Sequence, residues 1–164
     1  ASFMKVLTSM ALKDDLQGGD SYYIVETKSL KRILEEAKQG EPLLCIVDEV
    51  LRGTNTVERI AASSRILASL AQPHVLAFAA THDIELTYIL EGIYENYHFE
   101  EEIRDKEVKF NYLLRKGRAT SRNAIRLLEM IGYEEDLVEQ AQAAAAEFEK
   151  TGVWEPLGKG DVCS

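Results

Sequence analysis

Cations are scarce in this chain. Its 164 residues include 19 Lys or Arg against 28 Asp or Glu, a formal net charge of −9. That balance argues against a large nucleic-acid-binding face on this piece, because phosphate contacts need clustered Lys and Arg. Any DNA contact of a parent protein is expected from other domains. Cysteine is also rare: Cys45 sits in an apolar run and Cys163 in the tail, with no metal-ligand spacing. A reduced, cytoplasmic protein is the expectation. No apolar run approaches the roughly 20 residues that span a bilayer, and no basic-then-apolar leader opens the chain. No membrane contact is expected from this segment. The chain starts at Ala1-Ser2-Phe3 without an initiator methionine, which reads as a piece of something longer.

Apolar residues make up 46% of the chain, enough for the core of one domain. The first 20 residues have little periodicity and end in a turn-like stretch, Asp14-Asp15-Leu16-Gln17-Gly18-Gly19-Asp20. From Ser21, a good N-cap, the residues Tyr23, Leu30, Ile33, Leu34 and Ala37 recur near the helical period, and Gly40-Glu41-Pro42 stops the helix. Leu43-Leu44-Cys45-Ile46-Val47 then runs unbroken into Asp48-Glu49. Continuous apolarity suits a parallel strand buried on both faces. The polar turn Arg52-Gly53-Thr54-Asn55-Thr56 opens a second helix through Ile60, Leu67 and Leu70, which Pro73 ends. A second buried strand, Val75–Ala80, closes at Thr81-His82-Asp83. This alternation is the grammar of an α/β domain with a parallel sheet.

After Gly92 the pattern changes. Residues 93–103 and 107–115 read as a hairpin turning at Arg104-Asp105-Lys106, with Val108, Phe110, Tyr112 and Leu114 alternating. Helices are expected over 121–131 and 134–150, the second Ala-rich. A frayed, Gly-rich tail follows from 151.

Asp48-Glu49 comes first among residues that can carry chemistry. Two acids ending a buried strand lie at the C-terminal edge of a parallel sheet, where open α/β folds bind ligands. In nucleotide hydrolysis the Asp would hold Mg²⁺ through water and the Glu would orient the attacking water. Strand-end acids also simply meet solvent, and both readings stand. His82 ends the next strand in the same way, where a neutral imidazole can donate to a γ-phosphate or stay a solvated residue. In the 52–56 turn, Asn55 or Thr56 is suited to cap the helix. Gly18-Gly19-Asp20-Ser21 at a helix start has the makings of an anion site, or of a plain cap.

Taken in order, these phrases are more specific than any one of them. Asp14-Asp15-Leu16-Gln17-Gly18-Gly19-Asp20-Ser21, then Asp48-Glu49-Val50-Leu51-Arg52-Gly53-Thr54-Asn55-Thr56, then Ala80-Thr81-His82-Asp83-Ile84-Glu85-Leu86-Thr87 together closely resemble the ATPase domain of the MutS family. The resemblance spans residues 5–142. It implies that Asp48 and Glu49 are the Walker B pair, with Asp48 holding Mg²⁺ through water and Glu49 catalytic. It further implies a D-loop of Arg52, Gly53, Thr54, Asn55 and Thr56 facing a partner subunit, and His82 as the switch histidine. Ser21, beside Gly19, would reach in trans to the other subunit's nucleotide. Phe110-Asn111-Tyr112-Leu113-Leu114-Arg115-Lys116-Gly117 and the helix pair ending Val138-Glu139-Gln140-Ala141 are similar to the family's closing strand and dimer-forming helices.

Departures point to a divergent branch. Leu51 stands where mismatch-repair members usually carry Gly, Asp83-Ile84 replaces the usual aromatic pair, and Tyr22-Tyr23 replaces Thr-Phe. Phe99-Glu100-Glu101 spells the Phe-x-Glu of mismatch recognition in a predicted strand of the wrong domain, and is read as chance. The largest departure is that no G-x-x-x-x-G-K-[S/T] occurs. Without that loop's amides and lysine, ATP and Mg²⁺ belong to the parent protein, and neither is expected to bind this piece tightly.

The resemblance thus implies an α/β, partial P-loop NTPase sheet of ABC type with flanking helices, a β-hairpin and a C-terminal helical pair. Residues 1–118 would be the partial ATPase core, 119–150 a dimerisation segment and 151–164 a flexible tail. The function implied is that of a fragment of a MutS-like DNA mismatch repair or related DNA-processing ATPase, acting as a homodimer. Two alternatives remain. Leu16-Gln17-Gly18-Gly19-Asp20 is similar to the Leu-Ser-Gly-Gly-Gln phrase of another ABC-type ATPase class, the transporters. A non-catalytic dimerisation or interaction module would use the acids only to end a strand.

Overall fold

A computed structural model describes residues 3–10, 22–104, 107–119 and 123–157. The chain divides into two compact units, residues 1–97 with 116–118, and residues 98–115 with 119–164.

The first unit is built on a three-stranded parallel sheet. Strand β1 (Lys5–Ser9) is followed by helix α1 (Tyr22–Ala37), strand β2 (Leu43–Asp48), helix α2 (Thr56–Leu70), strand β3 (Val75–Ala80) and the short helix α3 (Ile84–Ile89). The spatial order is β1-β2-β3. The α/β class and parallel sheet agree with the sequence reading. The sequence pattern predicts neither β1 nor α3 as an element. β1 is short, and α3 becomes visible only because Leu86 and Leu90 reach the core.

Alternate residues of β2 explain the layering. Leu43, Cys45 and Val47 are buried against Leu30, Ile33 and Ala37 of α1, and Leu67 and Leu70 of α2. Both strand runs were expected to be buried on both faces, and that expectation is corrected here. Val6, Ile46, Leu76 and Phe78 are all exposed. The parallel register sets Val6 opposite Leu44 and Leu44 opposite Leu76, with Ile46 opposite Phe78, so these side chains share one face. The helices cover the other face, and no described residue supplies a second layer over this one.

Loop contacts tighten the core. Gly40, at φ 79°, turns the chain out of α1 where an L-residue would be strained. A ring nitrogen of His74 lies 2.6 Å from the Ala37 carbonyl, a contact that requires the imidazole to donate. The Tyr94 hydroxyl donates to the Leu67 carbonyl at 2.8 Å, and burial pushes its pKa up to about 12. Arg118 returns to the unit by stacking over the Tyr88 ring at 4.1 Å and donating to Thr87.

The second unit contains most of the antiparallel hairpin of β4 (Tyr97–Arg104) and β5 (Glu107–Lys116), then α4 (Ala124–Ile131) and α5 (Glu135–Thr151). β4 begins four residues later than expected, because the amides of Ile93 and Tyr94 both close turns onto the Leu90 carbonyl. Asp105 and Lys106 of the expected hairpin turn lie outside the described residues. The expected alternation of β5 is interrupted at Tyr112, which has φ 53°, and Tyr112, Leu113 and Leu114 are all exposed. Gly132, at φ 96°, ends α4 with amide bonds back to Glu129 and Leu128. Trp154 of the tail stacks on Phe148 of α5, ring centres 4.1 Å apart. Among the described side chains of this unit only Val138 is buried. No described helix is long and apolar enough to cross a membrane.

Candidate functional site

The parallel pairing of β2 and β3 brings the two expected motifs side by side. Asp48 pairs with Ala80, and the Glu49 amide continues the ladder to the Ala80 carbonyl at 2.9 Å. Glu49 and the Thr81-His82-Asp83 loop therefore leave the same sheet edge together. His82 Nε2 sits 2.9 Å from Glu49 Oε1, and Arg52 forms an ion pair with the other carboxylate oxygen. Glu49 is 17% exposed and His82 91%, so a solvated ring touches a largely sheltered acid. Glu49, Val50, Arg52, Arg59, Thr81, His82 and Asp83 line an open cavity of about 210 Å³.

The chain between Glu49 and Gly53 is unusual. Glu49 and Leu51 have φ of 52° and 59°, in the left-handed region that costs an L-residue about 1–2 kcal/mol. The position where the resembled pattern has Gly is thus one that favours Gly, and here it holds Leu51. What offsets the strain is burial, since the Val50 and Leu51 side chains are 3% and 2% exposed within the core. At Gly53 an added Cβ would come within 2.9 Å of Tyr23 Cβ, so α1 and this segment approach too closely for a larger residue.

Glu26 of α1 was not singled out from the sequence. Its Oε1 accepts from the Leu51 amide at 2.5 Å, while its Oε2 is buried without a partner. Burial raises its pKa, with the Leu51 and Arg52 amides acting in the opposite sense. The signal was available: Glu26 shares the helical stripe of Leu30, Ile33 and Ala37, so an acid sits on the face that otherwise builds the core.

Of the 52–56 segment, Asn55 is the cap. Its Oδ1 accepts from the Glu58 amide at 3.0 Å, and its Nδ2 donates to Glu58 Oε2 at 2.7 Å. Thr54 donates to the same carboxylate at 3.0 Å, and Thr56 is the first residue of α2. One turn on, Arg59 grips Asp83 through two hydrogen bonds. The donor set for a metal is sparse, as no group of three or more His, Cys, Asp or Glu comes together among the described residues. Asp48 ends β2 at the same sheet edge, opposite Ala80, and it is one carboxylate there; an ion of the Mg²⁺ kind takes one or two carboxylates beside waters and phosphate oxygens. Ser21, Gly18 and Gly19 lie outside the described residues, as does Cys163.

Comparison with known proteins shows the family of the chain. Residues 1–149 match the model of MutS domain V. The chain is 32% identical over 148 residues to the DNA mismatch repair protein MutS of Aquifex pyrophilus, covering 88% of this chain and 17% of that protein. It is 32% identical over 155 residues to the DNA mismatch repair protein MutS 2 of Haloarcula marismortui, covering 91% and 16%. With MutS of Thermus thermophilus it shares 29% identity over 141 residues, covering 86% and 17%. The chain thus spans about a sixth of the length of the relatives it matches. With a domain V match over most of its length, this chain belongs to the MutS family.

Proposed function

We propose that the chain is the part of a MutS-type ATPase domain that follows the phosphate-binding loop, and that its parent hydrolyses ATP in a DNA mismatch repair or related DNA-processing pathway. One observation carries this reading: Glu49 and His82 meet at 2.9 Å where two parallel strands end together. In this reading Asp48 is the water-mediated Mg²⁺ ligand and Glu49 holds the attacking water. His82 senses the γ-phosphate, and residues 52–56 face a partner subunit. Mg²⁺, when bound with ATP, supplies charge neutralisation at the phosphates. The Arg52 and His82 contacts occupy Glu49 here, and nucleotide would have to draw at least one of them away. Ser21 and Gly19 serve the other subunit's nucleotide, which makes the working unit a homodimer. In this reading DNA is contacted by other domains, which the charge of −9 favours, and the protein works in the cytoplasm.

The test uses the full-length protein with Glu49→Gln. ATP binding is retained and hydrolysis slows by about two orders of magnitude or more, the loss expected for a water-positioning base. Turnover within a factor of about two of the parent removes Glu49 from the mechanism. A full-length protein with no ATP turnover at all favours the non-catalytic interaction module.

A further inference from the structure

Arg59 and Asp83 have no part in the roles assigned above, yet they form the best-made polar contact of the site. Arg59 Nε lies 2.7 Å from Asp83 Oδ2 and its terminal nitrogen 2.6 Å from Oδ1, a planar fork on a carboxylate. The side chains are only 23% and 13% exposed. Asp83 stands at the N-cap of α3, where a carboxylate normally accepts a helix amide, but its side chain makes no such bond. Both of its oxygens go to Arg59 instead. The Asp83 amide donates to Thr81 Oγ1 at 3.0 Å, so the loop is fastened immediately before and after His82. The imidazole itself is nearly all in solvent and meets Glu49 at its tip. The ring is thus positioned by its contact with Glu49 and by the backbone that carries it, and Arg59 holds that backbone at Asp83.

We infer that Arg59 and Asp83 are a positioning pair, which sets His82 against Glu49 and links that setting to residues 52–56 through the first turn of α2. The link is mechanical. Asn55 caps α2 and receives the Arg59 amide on its carbonyl at 2.9 Å, so displacement of the 52–56 segment moves the turn that bears the guanidinium. A bidentate pair transmits such a displacement to Asp83, because its two parallel bonds fix orientation as well as distance. The adjacent histidine then shifts relative to the acid. A partner subunit pressing on residues 52–56 would in this way adjust the histidine of the same chain.

This inference rests on the ATPase reading of Glu49 and His82, and its test separates the two. Arg59→Lys keeps the charge and loses the fork, while Asp83→Asn keeps the shape and loses the charge. In the full-length protein each is expected to lower kcat between about tenfold and a hundredfold, the range for a misplaced reacting group, with KM for ATP and Tm nearly unchanged. Glu49→Gln is measured alongside. If Glu49→Gln is slow while both pair variants keep kcat within about twofold, the pair is a structural staple and the inference is overturned. A fall in Tm without a fall in kcat overturns it equally. If Glu49→Gln itself turns over normally, the ATPase reading fails and takes the inference with it. Where a single variant does not fold, the double exchange Arg59→Asp with Asp83→Arg carries the test. Restored folding with restored kcat supports the coupling, and restored folding with low kcat overturns it.

Discussion

The carboxylate of Glu26 accepts a 2.5 Å hydrogen bond from the amide of Leu51, a residue held at φ 59°. An acid on α1 thus anchors the turn that leaves the sheet directly after the strand-end acids. The anchor itself is partly desolvated, which raises the pKa of Glu26 above its ordinary value of 4.5.

A pH dependence follows, with its sign fixed by linkage. Between pH 4.5 and the raised value in the folded protein, the native state binds more protons than the unfolded chain. The contribution of Glu26 to stability is full below pH 4.5 and declines as pH rises through that window. Glu26→Gln stays neutral and has no such decline. Urea unfolding of both proteins across the acid range is expected to show the wild type losing ground to Glu26→Gln as pH rises. A constant difference between them would contradict the assignment.

At Leu51 the usual ranking of small residues should invert. Truncation to Ala removes a buried side chain, at about 2–5 kcal/mol, and keeps the left-handed strain. Truncation to Gly removes the same atoms and relieves about 1 kcal/mol of that strain. Leu51→Gly is therefore expected to be more stable than Leu51→Ala, although both fall below the parent. Thermal melts of the three proteins check the order, and Ala above Gly refutes the strain.

Nucleotide affinity provides a separate check. The chain has no G-x-x-x-x-G-K-[S/T], and that loop supplies the amides and lysine that grip phosphates. Calorimetry of this 164-residue chain with ATP and Mg²⁺ should detect weak binding or none. A micromolar dissociation constant would reveal a phosphate site elsewhere in it.

Self-association of the same chain is expected at micromolar concentration. β1 pairs with β2, which leaves the outer edge of β3 without a partner strand among the described residues. Strand β1 lies on the opposite side of β2 and does not close that edge. Unpaired edges recruit strands, and the bare sheet face beside it carries Leu76 and Phe78. In the second unit Leu127, Ile131 and Leu137 are exposed on a helix pair that resembles the family's dimer-forming helices. Sedimentation velocity should show a dimer, and a clean monomer would remove both surfaces from consideration.

The sequence by itself determined the elements and their order where a local rule acts. Leu30, Ile33 and Ala37 mark a helix face, Asn55 caps α2, and unbroken apolar runs make β2 and β3. It also named Glu49 and His82 as strand-end residues, because the end of a buried run is visible in one dimension. Boundaries slipped where a turn borrowed residues, as at 93–96, and short elements such as β1 and α3 carried too little period to be read.

Only the tertiary structure decided which of these residues meet. The parallel register of β2 with β3 brought Glu49 to His82, and the packing of α1 brought Glu26 to Leu51. The docking of the α3 loop on α2 joined Arg59 to Asp83 across 24 positions of sequence. Pairings of that span depend on how helices lie over a sheet, so no spacing rule along the chain records them. The one-sided burial of β2 and β3 has the same origin: an apolar run encodes the readiness of both faces to be covered, and the fold determines which face finds a cover.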